Sequence, residues 1–191
     1  MNKWQVFYDK CIREIAEENV VVNIGSGISL QKGLKEYERL LKSTNYVELD
    51  YDIRYRPHIV GNIQSLPFRA EAVDAIICNS VLEHVPEPQV AVREMYRLLR
   101  EGGKIFVYVP FFFPYHGGQR YKDYYRFTKD AIEYMFQDFT EMEMVPVRGY
   151  FGTINLFAPF TSKNFWLTDL LDKWKGTRPR MTSGYNIFAV K

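Results

Sequence analysis

Two runs in this sequence carry consecutive apolar residues instead of one at every second position: NVVVNI at Asn19–Ile24 and AVDAIICNSV at Ala72–Val81. A strand with one face in water alternates apolar and polar residues, so such runs fit strands covered on both faces, as in a parallel sheet between helix layers. The flanking segments agree. Trp4, Phe7, Cys11 and Ile15 recur at helical spacing before the first run, and Pro86 and Pro88 introduce a helix with Ala91, Met95 and Leu98 on one face after the second. Arg97 and Arg100 suit the negative end of that helix, and Gly102-Gly103 is placed to stop it. NYVELD (Asn45–Asp50), HIVGNI (His58–Ile63) and KIFVYVP (Lys104–Pro110) read as further strands, and a helix over Gln31–Lys42 is expected after the GSG turn. Thr128 is a good N-cap for a helix to about Gln137, and FTEMEMVPV (Phe139–Val147) and GYNIFAV (Gly184–Val190) read as antiparallel closing strands. The expected fold class is α/β: a doubly wound, Rossmann-like, mostly parallel sheet of about seven strands, the last antiparallel, with helices on both faces.

The chain's 191 residues fit one domain spanning 1–191. Its 25 Lys and Arg against 23 Asp and Glu leave +2, too weak a field for dedicated nucleic-acid binding. Cys11 and Cys78 lie far apart without metal-ligand spacing, so two reduced, buried thiols and no metal are expected. No apolar run reaches the roughly 18 residues that span a bilayer, and the opening MNKWQVFYDK has no signal-peptide core. A cytoplasmic monomer or homodimer without a membrane partner is expected.

One segment departs from the average. Aromatic residues are 16% of the chain, yet ten of them fall between Phe106 and Phe127. The stretch at about 111–128 is too long and too apolar for an ordinary connector and reads as an aromatic lid, with Gly117-Gly118 as its hinge. A second excursion at about 148–183 holds the apolar helix candidate Phe165–Trp174, expected to close a pocket or form a dimer face. Lys173, Lys175, Arg178 and Arg180 read as a solvated basic loop.

Ligands of doubly wound sheets bind beyond the carboxyl ends of the strands. Gly25-Ser26-Gly27 follows the first strand, where glycine permits close backbone approach and a helix N-terminus would offer an anion site. Asp50 ends the second strand, 25 residues beyond Gly25, where a carboxylate can accept both hydroxyls of a ribose. Asn62 and Ile63 follow the third strand, and an Asn there can both accept from an exocyclic amine and donate to a ring nitrogen. Asn79, Ser80 and His84 follow the fourth. Taken singly, each is equally a turn acid, a turn Asn, a helix cap or a structural histidine.

In order, and each at its own strand end, they resemble the class I S-adenosylmethionine-dependent methyltransferases, above all the methyltransferase type 11 group. VVNIGSGIS is similar to the glycine-rich first motif, LD ending at Asp50 to the ribose acid, and GNIQSLPF to the adenine motif. AVDAIICNSVLEHV followed by VREMYRLLREGGKIFVYVP is the most specific stretch. The resemblance implies an S-adenosyl-L-methionine site made of Asn23, Gly25, Ser26, Gly27, Asp50, Asn62, Ile63, Asn79, Ser80 and His84. Asn23 stands where an acid is usual, Ser29 where a third glycine is usual, and Asn62 where Asp is more usual.

Methyl transfer from a sulfonium is an in-line displacement, so the protein mainly aligns the acceptor and excludes water. An acceptor hydroxyl or protonated nitrogen must also lose a proton, and His116 has the side chain suited to take it. Asp123 with Tyr124 is the second candidate, while Tyr115 and Arg126 are expected to meet the acceptor. The expected activity is methylation of an oxygen or nitrogen of a small molecule. A related group with a similar H-then-DYYRFT stretch is associated with glycan biosynthesis, which implies a sugar or glycan precursor. No Asn-Pro-Pro-Tyr sequence follows the fourth strand, unlike nucleic-acid amino-methylating enzymes of the superfamily. The alternative is an inactive relative that senses the cofactor or binds a partner. A nicotinamide oxidoreductase would need glycine where Leu30 stands.

Overall fold

A computed structural model describes residues 2–157, 165–175 and 181–191. The elements in chain order are α1 (Lys3–Ile15), β1 (Val20–Ile24), α2 (Glu38–Leu41), β2 (Asn45–Asp50), β3 (Ile59–Val60), β4 (Val73–Asn79) and α3 (Pro88–Leu98). They continue with β5 (Leu99–Pro110), α4 (Lys129–Met135), β6 (Glu141–Val147), α5 (Tyr150–Asn155), α6 (Phe165–Lys175) and β7 (Gly184–Val190). The seven strands order as β3-β2-β1-β4-β5-β7-β6. Pairing is parallel from β3 through β5, and β7 runs antiparallel to both β5 and β6. The expected doubly wound α/β sheet is therefore present.

The apolar runs are buried on both faces. Val22, Ile24, Ile76, Cys78 and Val107 pack with Met95 and Leu98 of α3 and Ile132 of α4 on one side. Val21, Ala75, Ile77 and Phe106 meet Phe7, Cys11, Ile12 and Ile15 of α1 on the other. Side chains alternate across a strand, so Asn23 shares the α1 side with Val21. Both cysteines are free and buried, and burial pushes each thiol up to about 12.

Three local expectations change. The helix over Gln31–Lys42 is reduced to a 3-10 turn at Leu34–Tyr37 and the single turn of α2. Leu30 (φ 54°), Lys32 (φ 57°) and Gly33 (φ 87°) have left-handed backbone, which cannot continue a right-handed helix. The glycine turn therefore leads into no helix N-terminus, and the anion site expected there is missing. The Gly102-Gly103 pair does not stop α3: the chain leaves helical backbone at Leu99, which is fully buried, and both glycines lie within β5. The third strand shrinks to two residues.

The lid segment has no regular structure and is held by hydrogen bonds at both ends. Phe111 N donates to Ser183 O (2.9 Å), Phe127 N to Pro110 O (2.9 Å) and Tyr124 N to Glu83 O (2.8 Å). Thr128 caps α4 as expected, accepting from Ala131 N at 3.2 Å. In the second excursion Asp172 of α6 accepts from the amides of Gly149, Phe151 and Gly152 (3.0, 2.8 and 3.0 Å), which joins α6 to the start of α5. Trp166, Leu170 and Trp174 point outward. Phe160, Arg178 and Arg180 lie outside the described residues, and of the basic cluster Lys173 is exposed.

Candidate active site

The carboxyl ends of β1, β2 and β4 and the lid segment enclose a cavity of about 670 Å³, within the range of small-molecule sites. Its sheet side is built from Gly25, Gly27, Leu49, Asp50, Asn62, Ile63 and Ser80, and its lid side from Phe113, His116, Gln119 to Lys122 and Tyr124. The described residues of α5 and α6 contribute none of its lining, so pocket closure by that excursion is not seen.

At the sheet end, Gly25 (φ 67°) and Gly27 (φ 59°) hold a turn that L side chains rarely adopt. A Cβ on Gly25 would also overlap Val81 Cγ2. Asp50 Oδ2 accepts from Gly27 N (2.8 Å) and Oδ1 from Asp52 N (2.9 Å). Each carboxylate oxygen has two acceptor positions, so one on each remains for a ligand's hydroxyl groups. Asn62 Oδ1 closes a turn onto Gln64 N (2.9 Å), and its Nδ2 has no hydrogen bond with a described residue. The turn role and the pocket position of Asn62 thus coexist.

Lys32 was not anticipated from sequence. Its Nζ bonds to the carbonyls of Gly25 (3.2 Å), Ser80 (3.3 Å) and Asn79, so three carbonyl oxygens at the ends of β1 and β4 converge on one ammonium. Burial lowers its pKa, opposed mainly by the charge of Glu83. An isolated lysine in a turn carries no periodic signal; only the fold brings it back over the glycine loop.

Several of the expected site residues lie outside the cavity lining. Asn23 faces away from the cavity, buried, with Nδ2 donating to Tyr46 Oη at 2.9 Å. Ser26 is buried outside the lining, and its Oγ has no hydrogen-bond partner among the described residues. Asn79 meets Lys32 rather than the cavity: its Nδ2 donates to Lys32 O at 3.2 Å. Tyr115, 72% exposed, lies outside the pocket. Arg126 also lies outside it, forking onto Asp123 (Nη1–Oδ1 2.6 Å, Nη2–Oδ2 2.7 Å) and donating to the carbonyls of Phe113 and Pro114 (3.0 and 2.8 Å). Asp123 also accepts from His116 N at 2.8 Å. That set holds its carboxyl far below the usual range, chiefly through Arg126. Asp123, the second candidate base, and Arg126, an expected acceptor contact, form instead a clamp that shapes the lid, because a fork this complete leaves neither group facing the cavity.

His116, His84 and Tyr124 do line the cavity. His84 Nδ1 is 2.6 Å from Lys122 O, and His116 Nδ1 is 3.2 Å from Pro114 O and 3.3 Å from Asp123 Oδ2. Carbonyls and carboxylates only accept, so each ring's proton lies on Nδ1 and each Nε2 turns inward. Between them is Glu83, with Oε1 3.5 Å from His116 Nε2 and 3.8 Å from His84 Nε2. The hydrogen bond with Glu83 raises the pKa of His116 against the effect of burial, while burial lowers that of His84. Glu83 is the main residue the sequence did not single out. Its position between Leu82 and His84 was visible, but its 1% side-chain exposure was not.

A model described as a methyltransferase domain matches residues 27–107. A ubiquinone biosynthesis O-methyltransferase of Xanthomonas oryzae pv. oryzae (strain PXO99A) is 30% identical over 82 residues, 43% of this chain and 32% of that protein. The chain thus spans about a third of the length of the curated relatives it matches. A SAM-dependent methyltransferase from Archaeoglobus fulgidus superposes with a TM-score of 0.60 at 14% identity, covering 100% of both chains. Phosphoethanolamine N-methyltransferase 2 of Haemonchus contortus, in complex with S-adenosyl-L-methionine, gives 0.59 at 14% identity, covering 97% of this chain and 52% of that one. Among the described residues no helix is long and apolar enough to cross a membrane.

Proposed function

We propose that this chain, which belongs to the class I S-adenosylmethionine-dependent methyltransferases, transfers a methyl group to an oxygen or nitrogen of a small molecule. The observation that carries the reading is Asp50: a carboxylate at the end of β2, fixed by two backbone amides, with one acceptor position per oxygen left over a cavity floored by Gly25 and Gly27. That donor and acceptor set fits a ribose, and Ile63 with Asn62 fits the flat, polar-edged adenine beside it. The three carbonyls now held by Lys32 would suit an α-ammonium, which could take that place only if Lys32 vacated it, because two ammonium groups there would repel each other. The cofactor supplies an electrophilic methyl group on a sulfonium.

The chain's own residues do the rest. The lid from Phe113 to Tyr124 excludes water from the acceptor end, and Tyr121 and Tyr124 bring aromatic faces that favour a cation by about 0.5 to 2 kcal/mol. His116 is placed to take the acceptor's proton at Nε2, with Nδ1 held by Pro114 O and Asp123 and the imidazolium stabilised by Glu83. Asp123 and Arg126 position that ring. A relative named for O-methylation and a neighbour named for N-methylation leave both atoms open, and a sugar acceptor rests on the H-then-DYYRFT resemblance alone.

The test is thermal unfolding with S-adenosylhomocysteine and, separately, with NAD, each at about 100 times a micromolar Kd. Binding at that excess adds roughly 2.7 kcal/mol and raises the midpoint by about 5 to 10 °C. A shift with S-adenosylhomocysteine alone is expected. No shift with it removes the methyl-transfer reading in favour of a partner-binding relative.

A further inference from the structure

At the lid end of the cavity three electron-pair donors face one another with no hydrogen between them that the chain must supply. Both histidines direct their Nδ1 protons outward, to Lys122 O and to Pro114 O and Asp123. Their Nε2 lone pairs and Glu83 Oε1 converge, and one potential ligand atom from each of the three residues lies within 4.8 Å of the other two. Glu83 Oε2 is buried without a hydrogen-bond partner among the described residues. A single proton on His116 satisfies one of these pairs and leaves His84 Nε2 and Glu83 Oε2 unanswered. The arrangement calls for a cation with more than one contact.

From this geometry we infer that Glu83, His84 and His116 form a binding site for a divalent transition-metal ion of the zinc or cobalt class, opening into the cavity. Two imidazoles and a carboxylate are a donor set that such ions take with a further position left for a water or substrate oxygen. Bonds of about 2.1 Å put tetrahedral ligands roughly 3.4 Å apart, so the 3.5 and 3.8 Å separations from Glu83 are already near that value, and the third, at most 4.8 Å, closes by rotation of the histidine side chains. The surroundings are those of ligated histidines. Each ring donates its other N–H to a carbonyl or carboxylate, and Asp123 behind His116 is itself fixed by the Arg126 fork. The ligands come from two segments 32 residues apart, so no local spacing marks the site.

The inference deepens the methyl-transfer reading and rests on it for the acceptor's location. A metal-held hydroxyl loses its proton more readily, and that proton leaves to solvent through the cavity mouth. His116 is then a ligand, and its role as base belongs to the metal-free chain. This favours an oxygen acceptor over a nitrogen one.

The experiment uses the full chain, stripped with a chelator and titrated with Co²⁺ and with Zn²⁺ by visible absorption and calorimetry. One equivalent should bind, with a Co²⁺ band of low-symmetry coordination. His84→Ala should weaken binding more than roughly 100-fold, beyond the 10- to 100-fold typical of a lost supporting contact. Glu83→Gln should do the same, and because Glu83 is buried, the partly exposed His84 variant serves as the check if Glu83→Gln does not fold. No stoichiometric uptake, or uptake that both variants retain, overturns the site. S-adenosylhomocysteine binding is measured on the same samples. Cofactor binding without metal uptake removes the metal and leaves methyl transfer standing; metal uptake without cofactor binding does the reverse.

Discussion

Replacing Asp50 with Ala separates a ligand-binding carboxylate from a turn-holding one. In the folded chain the group accepts from Gly27 N and Asp52 N, so its loss removes two hydrogen bonds to a charged acceptor at a position only 8% exposed. At about 1 to 2 kcal/mol each this lowers stability by roughly 2 to 4 kcal/mol, a midpoint drop of about 5 to 15 °C. The remaining acceptor positions, one per oxygen, are those assigned to two ribose hydroxyls. Their loss weakens S-adenosylhomocysteine by about 3 kcal/mol, more than 100-fold in Kd. Isothermal titration well below the variant's midpoint measures this on folded protein. Asp50→Asn keeps the shape and one acceptor oxygen, and falls between the two. A fall in midpoint with a Kd within about threefold of the parent would refute the assignment and leave Asp50 as a turn scaffold only.

Two further changes test the loop and the lid. Gly25→Ala places a Cβ against Val81 at φ 67°, and strain plus overlap cost about 3 kcal/mol. A midpoint fall of roughly 6 to 12 °C is expected in thermal unfolding, and an unchanged midpoint contradicts the turn geometry. Arg126→Lys keeps the charge but loses the fork on Asp123 and the contacts to Phe113 O and Pro114 O. Hydrogen exchange should show faster exchange at the amides of His116, Gly118 and Tyr124, whose bonds depend on the lid's shape, with β4 amides unaffected. Equal protection would mean that the clamp does not hold the lid.

How much could be read from the chain depended on whether the signal was local. Apolar runs, proline at the start of α3 and the Thr128 cap depend on backbone sterics and on burying near neighbours, and these elements appear where the residues place them. Asp50 and the glycines were legible for the same reason: a strand end followed by a tight turn is a local event. The Gln31–Lys42 helix was not, since apolar spacing alone does not reveal left-handed backbone at Leu30, Lys32 and Gly33.

Side-chain direction was the larger loss. Asn23 belongs to a motif, but strand alternation sends it to α1 and Tyr46, and the sequence carries no mark of which face looks at the cavity. Tyr115 and Arg126 sit in the right segment yet point out of the pocket, because Arg126 finds a better partner in Asp123 three residues away. By itself, then, the sequence determined the α/β sheet, the order of its strand-end residues and the aromatic segment, all consequences of short-range periodicity and steric preference. The convergence of Glu83, His84 and His116, the return of Lys32 over the glycine loop and the closing of the lid were decided by tertiary structure. These depend on groups far apart in the chain meeting in a poorly solvated space, where burial and pairing outweigh the preferences each has alone.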